Sequence, residues 1–219
     1  MDSSLVSLLV LAGIAVFLVL RLRNILGTRD GFEQPRTDPL KQNEDPKRQF
    51  EVIEGGVDHD IVDNVPEGSR AAENLAELKR NEPDFSVSDF LTGASSAYEM
   101  ILMAFENGDL SSVSDFISDD VEEAFQSVID SRKDAGLTVE AQFIGLHETQ
   151  IIDVEIDKDA NEEEIKVRFV SEITTVARND EGVIVEGDPN KIKRQKDIWV
   201  FAREIGSANP NWQLVATGA

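Results

Sequence analysis

The chain has 219 residues, 21 of them Lys or Arg against 43 Asp or Glu, a formal charge of −22, and a hydrophobic content of 41%, enough to build a core. That acidity argues against nucleic acid as a partner, because phosphate binding needs clustered cations. The absence of cysteine removes disulfides, thiolate nucleophiles and thiolate metal sites, and two histidines are too few for a multi-histidine centre.

The charge is uneven. Residues 1–23 carry one acid and two bases, residues 24–83 carry 14 acids and 8 bases, and residues 84–219 carry 28 acids and 11 bases, a net −17. In the first region, Leu5 to Leu20 holds no charge and has Ser7 as its only polar side chain. As a helix those residues span roughly 24 Å, and snorkelling by Arg21 and Arg23 extends the span toward the hydrocarbon thickness of about 30 Å. A cleaved signal peptide would need a basic start and a small-residue cleavage site. The chain offers Met1-Asp2-Ser3-Ser4 and Arg21-Leu22-Arg23 instead. Residues 1–23 are therefore expected to be a transmembrane anchor in contact with membrane lipid. Arg21, Arg23 and Arg29 follow the span, so the positive-inside bias puts the N-terminus outside and the rest in the cytoplasm, as in a single-pass protein of a bacterial inner membrane.

Residues 24–84 are expected to be a flexible acidic tether. Gly and Pro recur, and no apolar period persists. Asp58-His59-Asp60 within it reads as a solvated charge run. A short helix is allowed near 66–80, where Ala71, Ala72, Leu75 and Leu78 fall at helical spacing; it would either dock on the domain or stand apart.

Residues 85–219 are expected to fold as one α+β domain. Phe90, Ala94, Tyr98, Ile101, Leu102 and Phe105 form one stripe of a long helix that Ser86 starts and Asn107-Gly108 ends. Two shorter helices follow, capped by Asp109 and Ser118. After Gly136 the period becomes two. Val139, Ala141 and Phe143 set one phase and Ile152, Val154 and Ile156 the other, so a bulge is expected near Gly145. Asp153 then faces solvent. A turn at 157–163, a strand over Ile165 to Ala177, a small arm at Val183–Val185, a long strand over Ile192 to Ile205 and a short one over Trp212 to Thr217 complete the chain. Helices first and long antiparallel strands after is α+β ordering, and a bent sheet around a long helix makes a cone with an open mouth.

This order resembles the nuclear transport factor two-like cone. Asp197-Ile198-Trp199-Val200-Phe201-Ala202-Arg203 and Asn209-Pro210-Asn211-Trp212-Gln213-Leu214-Val215-Ala216-Thr217 look like the closing signature of the TIM-forty-four-like family. Leu26-Gly27-Thr28-Arg29-Asp30-Gly31-Phe32-Glu33 partly matches, with one base lost, the stretch that follows the single N-terminal span of that family's membrane-anchored bacterial (TimA-type) members. The resemblance implies the cone fold and a non-catalytic role beside a membrane in protein translocation.

The candidate sites are few. Tyr98, Phe143, Phe169 and Trp199 would line a pocket in the cone, or else pack its core. His147 with Tyr98 would be the acid–base pair of an isomerase-like enzyme, but no acid is found on an inward phase of the middle strands. Asp157-Lys158-Asp159 begins like a calcium loop and lacks its glycine and its final Glu, so no metal is expected. No P-loop or Gly-x-Gly-x-x-Gly is present, and no cofactor is expected. Lys191, Lys193, Arg194 and Lys196 would meet an acidic protein or anionic lipid, or else guard a strand edge. The first-ranked function is a membrane-tethered protein adaptor. A binder of an apolar ligand or lipid comes second and an enzyme third. Cones that pair through their open sheets also admit a homodimer.

Overall fold

The computed structural model describes residues 58–207 and 209–218. The expected transmembrane helix, Arg21 and Arg23, and most of the expected tether lie outside these residues. Among the described residues no helix is long and apolar enough to cross a membrane.

Among the described residues four α-helices precede the sheet: α1 (His59–Val62), α2 (Arg70–Asn81), α3 (Val87–Asn107) and α4 (Asp119–Asp134). A 3-10 turn at Ser114–Phe116 stands where a short helix capped by Asp109 was expected. The strands are β1 (Thr138–Asp157), β2 (Glu162–Arg178), β3 (Ile184–Gly187), β4 (Lys193–Glu204) and β5 (Gln213–Gly218). Their order is β1-β2-β4-β5, all antiparallel, and β3 lies against β2 beyond the end of β4. The fold is α+β, with helices packed on a curled antiparallel sheet.

Local chemistry sets the helix ends. Ser69, Ser86 and Ser118 each accept from a backbone N–H three residues on, and Gly108 ends α3 at φ 71°, a left-handed conformation that glycine adopts without a Cβ penalty. On α3, Val87, Phe90, Ala94, Tyr98, Ile101 and Leu102 are buried against the sheet.

β1 curls by three bulges, not one. The register shifts at Phe143/Gly145, Leu146/Glu148 and Ile151/Asp153 leave Ile144, His147 and Ile152 without a partner on β2. All three are exposed, as expected for extra residues squeezed out of a ladder. The third bulge also resets the phase: Ile151 and Val154 are buried and Ile152, expected inward, is 38% exposed. Asp153 is not free in solvent but bonds Arg70 at 2.5 Å.

The helical segment before residue 84 belongs to this core. Leu75 and Leu78 of α2 are fully buried, Asn74 Nδ2 donates to the Val154 carbonyl at 2.7 Å, and Arg70 pairs with Asp153 and Glu155. Each buried leucine contributes about 1.5–3 kcal/mol. Asp58 and Asp60 are not a solvated run either: both pair with Lys79, and Asp60 accepts from Val87 N, Ser88 N and Ser88 Oγ at 2.7, 2.9 and 2.7 Å. It caps α3 from outside that helix. The folded unit therefore takes in residues the composition assigned to the tether.

Candidate functional site

The N-terminal half of α3 and the β4–β5 connection enclose a groove of about 610 Å³. Its walls are aromatic. Phe90 sits edge-on to Trp212 at 5.1 Å and to Phe201 at 6.1 Å, and Phe85 is 6.0 Å from Trp212. Ser86 orients the first turn of α3, which puts Phe85 just before the helix and Phe90 inside it. Where the next turns face the groove they carry Gly93, Ala94 and Ala97, and a Cβ built on Gly93 meets open space. The opening exists because this face of α3 has small side chains.

One end of the groove is charged. The Arg203 guanidinium lies 4.6 Å from the Trp212 ring and pairs with Glu82 and with Glu163, the latter at 2.8 Å. Glu82 also accepts from Gly206 N at 3.2 Å, which ties the β4–β5 connection to the end of α2. Glu163 is fully buried, and that burial raises its pKa against the opposing pull of Arg203. Glu82, Asp84 and Asp89 line the groove, with Arg203 as the only cation among the described residues. The surface is apolar in the middle and net acidic at its edge.

The structure does bring together the four aromatics expected to line a pocket, but as a packed stack. Tyr98 stacks on Phe169 at 4.4 Å and meets Trp199 at 4.7 Å and Phe143 at 6.3 Å. None of the four lines the groove. His147 and Tyr98 are not brought together: His147 is a bulge residue paired with Glu172 at 3.0 Å, whereas Tyr98 is completely buried. Lys191, just before β4, and Lys193, Arg194 and Lys196 at its start are all exposed, and none ion-pairs with another described residue.

Sequence reasoning missed an interior acid. Tyr98 Oη donates to Asp197 at 2.6 Å and contacts Ser171 Oγ at 2.8 Å, while Gln195 Nε2 donates to both Tyr98 and Asp197. Burial and the adjacent carboxylate both push the Tyr98 pKa up, so the phenol stays protonated. Asp197 shares the inward parity of Trp199 and Phe201, and that alternation was the available signal. The groove was missed because its walls come from four separate parts of the chain: residues 82–100, Phe116, Phe201 with Arg203, and the β4–β5 connection up to Trp212.

The family model of the Tim44-like domain matches residues 71–219. Among curated proteins, the human mitochondrial import inner membrane translocase subunit TIM44 is 24% identical over 164 residues, which is 73% of this chain and 36% of that protein, and the mouse subunit is 23% identical over the same span. The chain thus covers about a third of the length of these relatives. A structural neighbour, the intermembrane-space region of the chloroplast protein ARC6, aligns with a TM-score of 0.38 and 9% identity over 58% of this chain and 93% of its own, too low a score to bear on the fold. With the family model covering α2 through β5, the chain belongs to the Tim44-like domain family.

Proposed function

We propose that this protein is a non-catalytic, membrane-tethered adaptor that receives a polypeptide segment in the α3/β4–β5 groove, in protein translocation or in the assembly of a membrane complex. The observation that carries this reading is the groove itself: aromatic walls with a net acidic edge. A segment that suits it has bulky apolar residues to bury and Lys or Arg to meet Asp84 and Asp89. The translocase relatives support a protein as the partner. Residues 1–23, as a membrane anchor with the domain on the cytoplasmic face of an inner membrane, would raise the local concentration of membrane-bound partners.

The test uses the full chain in its native membrane, with a photo-crosslinking residue at Met100, an exposed groove residue. Gly93→Leu fills the groove without a backbone clash, and Asp84→Lys with Asp89→Lys inverts its edge. Both should abolish a protein crosslink that the parent forms, with thermal stability nearly unchanged. A crosslink that survives both variants refutes the groove as the docking site.

A second reading rests on size. A 610 Å³ apolar groove lies within the roughly 300–1,000 Å³ of small-molecule pockets. Native mass spectrometry of the purified chain separates the two: a reproducible added mass that Gly93→Leu removes favours an apolar ligand.

A further inference from the structure

The dimensions of the groove limit what can lie in it. Along α3 its lining runs from Phe85, just before the helix, to Met100. The helical part of that run, Val87 to Met100, rises about 20 Å. A volume of about 610 Å³ over that length gives a cross-section of roughly 30 Å². A helix with its side chains is about 10 Å across, or roughly 80 Å², and sunk to half its depth it still needs about 40 Å². A strand with the side chains of both faces occupies about 47 Å², since strands lie about 4.7 Å apart and sheets about 10 Å. Seated with one face in the groove it needs about half of that, and about six residues span the length at roughly 3.3 Å each.

The wall opposite α3 offers main-chain partners to an extended chain. Gln213 pairs with Ala202 of β4, whereas the Leu214 carbonyl turns to the other edge of β5 and accepts from Ser118 N at 2.9 Å. Trp212, directly before β5, has the parity of Leu214 and presents its N–H and C=O on that same edge. Among the described residues neither group has a backbone partner. Phe116, next to the Ile117↔Leu214 bridge on that edge, lines the groove as Trp212 does, so the edge borders it. A helix has no main-chain donors to spare along its length, whereas alternate residues of a strand offer both a donor and an acceptor.

Charge falls at one end. Asp84 and Asp89 lie at the start of α3 and pair with no cation among the described residues, whereas Ala97 and Met100, three turns on, are uncharged. We propose that the groove binds its polypeptide as an extended segment of about six residues, with one Lys or Arg against Asp84 and Asp89 and apolar side chains at every second position from there toward Met100. The inference rests on the adaptor reading and names the class of segment that the groove takes, one with the period of a strand rather than of an amphipathic helix.

Two twelve-residue peptides of one composition, each with a single Lys and a fluorophore, test this against the full-length chain in phosphatidylcholine nanodiscs, with empty discs as the blank. In one peptide apolar residues follow the Lys at every second position, with Ser and Thr between them. In the other the same residues stand at helix spacing, three and four apart. Fluorescence anisotropy should give the first peptide at least tenfold tighter binding, and isotope-edited infrared spectra should show its labelled carbonyls in an extended chain. Gly93→Leu, and separately Asp84→Lys with Asp89→Lys, should each weaken that binding at least tenfold. Equal or tighter binding of the helix-spaced peptide, or a helical spectrum for the bound one, overturns the proposal; if Gly93→Leu still weakens that binding, the groove survives as the docking site. Binding of neither peptide, or binding indifferent to both variants, overturns the proposal and the adaptor groove together.

Discussion

The guanidinium of Arg203 lies over the indole of Trp212 at 4.6 Å while pairing with the fully buried Glu163 and with Glu82. One side chain thereby joins β4, β2, the end of α2 and the groove wall. A buried cation against two carboxylates is costly to disturb, because removing it leaves Glu163 charged and unpaired. Arg203→Met should lose about 3–5 kcal/mol in urea unfolding. The double variant Arg203→Met, Glu163→Met should recover a good part of that loss, since the orphaned carboxylate goes as well. A double variant no more stable than the single one would mean that the pairing with Glu82 dominates.

Asp60 ties α1 to the start of α3, and its ionisation should be visible in the pH dependence of stability. Burial alone would raise its pKa, but the Ser88 hydroxyl, the Lys79 ammonium and the amides of Val87 and Ser88 all bind the anion and hold it far below the ordinary 3.8. The stabilisation is therefore complete above the unfolded-state pKa and is lost as pH falls below it. At pH 7 the Asp60→Asn variant should be less stable by roughly 1.5–3 kcal/mol. The gap should narrow as the pH drops below 3.8. A gap independent of pH would show that hydrogen bonding rather than charge carries the contact.

Gly187 gives the arm a handle. At φ 83° and with the Thr175 carbonyl 2.1 Å from where a Cβ would sit, Gly187→Ala cannot keep the present pairing of β3 with β2. Amide exchange over residues 184–187 should rise at least tenfold in that variant while β1 and α3 stay protected. The exposed pairing of β3 buries little, so the global melting temperature should fall by no more than a few degrees.

Much of this architecture was legible from residue patterns. The helix stripe from Phe90 to Phe105, the serine caps, the change of period after Gly136 and the bulge at Gly145 are short-range signals, and the structure carries each. Long-range closure was not legible. Ile151, Ile152 and Asp153 exchange faces because of a third bulge, and parity counting gives no warning of one. Asp197 was passed over as an acid in an apolar strand; only its meeting with Tyr98, 99 residues away, shows that the interior accepts it. The groove fails for the same reason, since Phe90, Phe201 and Trp212 meet only after the sheet has curled.

The Tyr98 network should behave as a structural element of that interior. Removing the hydroxyl in Tyr98→Phe keeps the stack on Phe169 and takes one partner each from the part-buried Asp197 and the fully buried Ser171. The expected cost is about 1–3 kcal/mol. Replacing the cluster in Tyr98→Phe, Asp197→Leu should cost less than the sum of the single changes, because neither polar end is then stranded. Additive losses would show that water already reaches Asp197 and meets its needs.

The last prediction concerns where the folded unit begins. The sequence reading put the boundary at residue 85, because residues 58–66 have the Pro and acid content of a tether and the apolar set of α2 is only four residues deep. Their partner, the far half of β1, lies some 80 residues on and cannot be seen locally. A fragment starting at residue 85 would lose Leu75 and Leu78 from the core, the cation–carboxylate link through Glu82, and the Asp60 cap of α3. Each leucine alone is worth about 2–5 kcal/mol when cut to alanine, and whole domains hold only about 5–15 kcal/mol. The fragment 85–219 should therefore unfold or aggregate, whereas 55–219 should give a single cooperative transition. Leu78→Ala in the full chain supplies the graded version of this test. It should lower stability by about 2–5 kcal/mol, and a loss below 1 kcal/mol would return α2 to the tether.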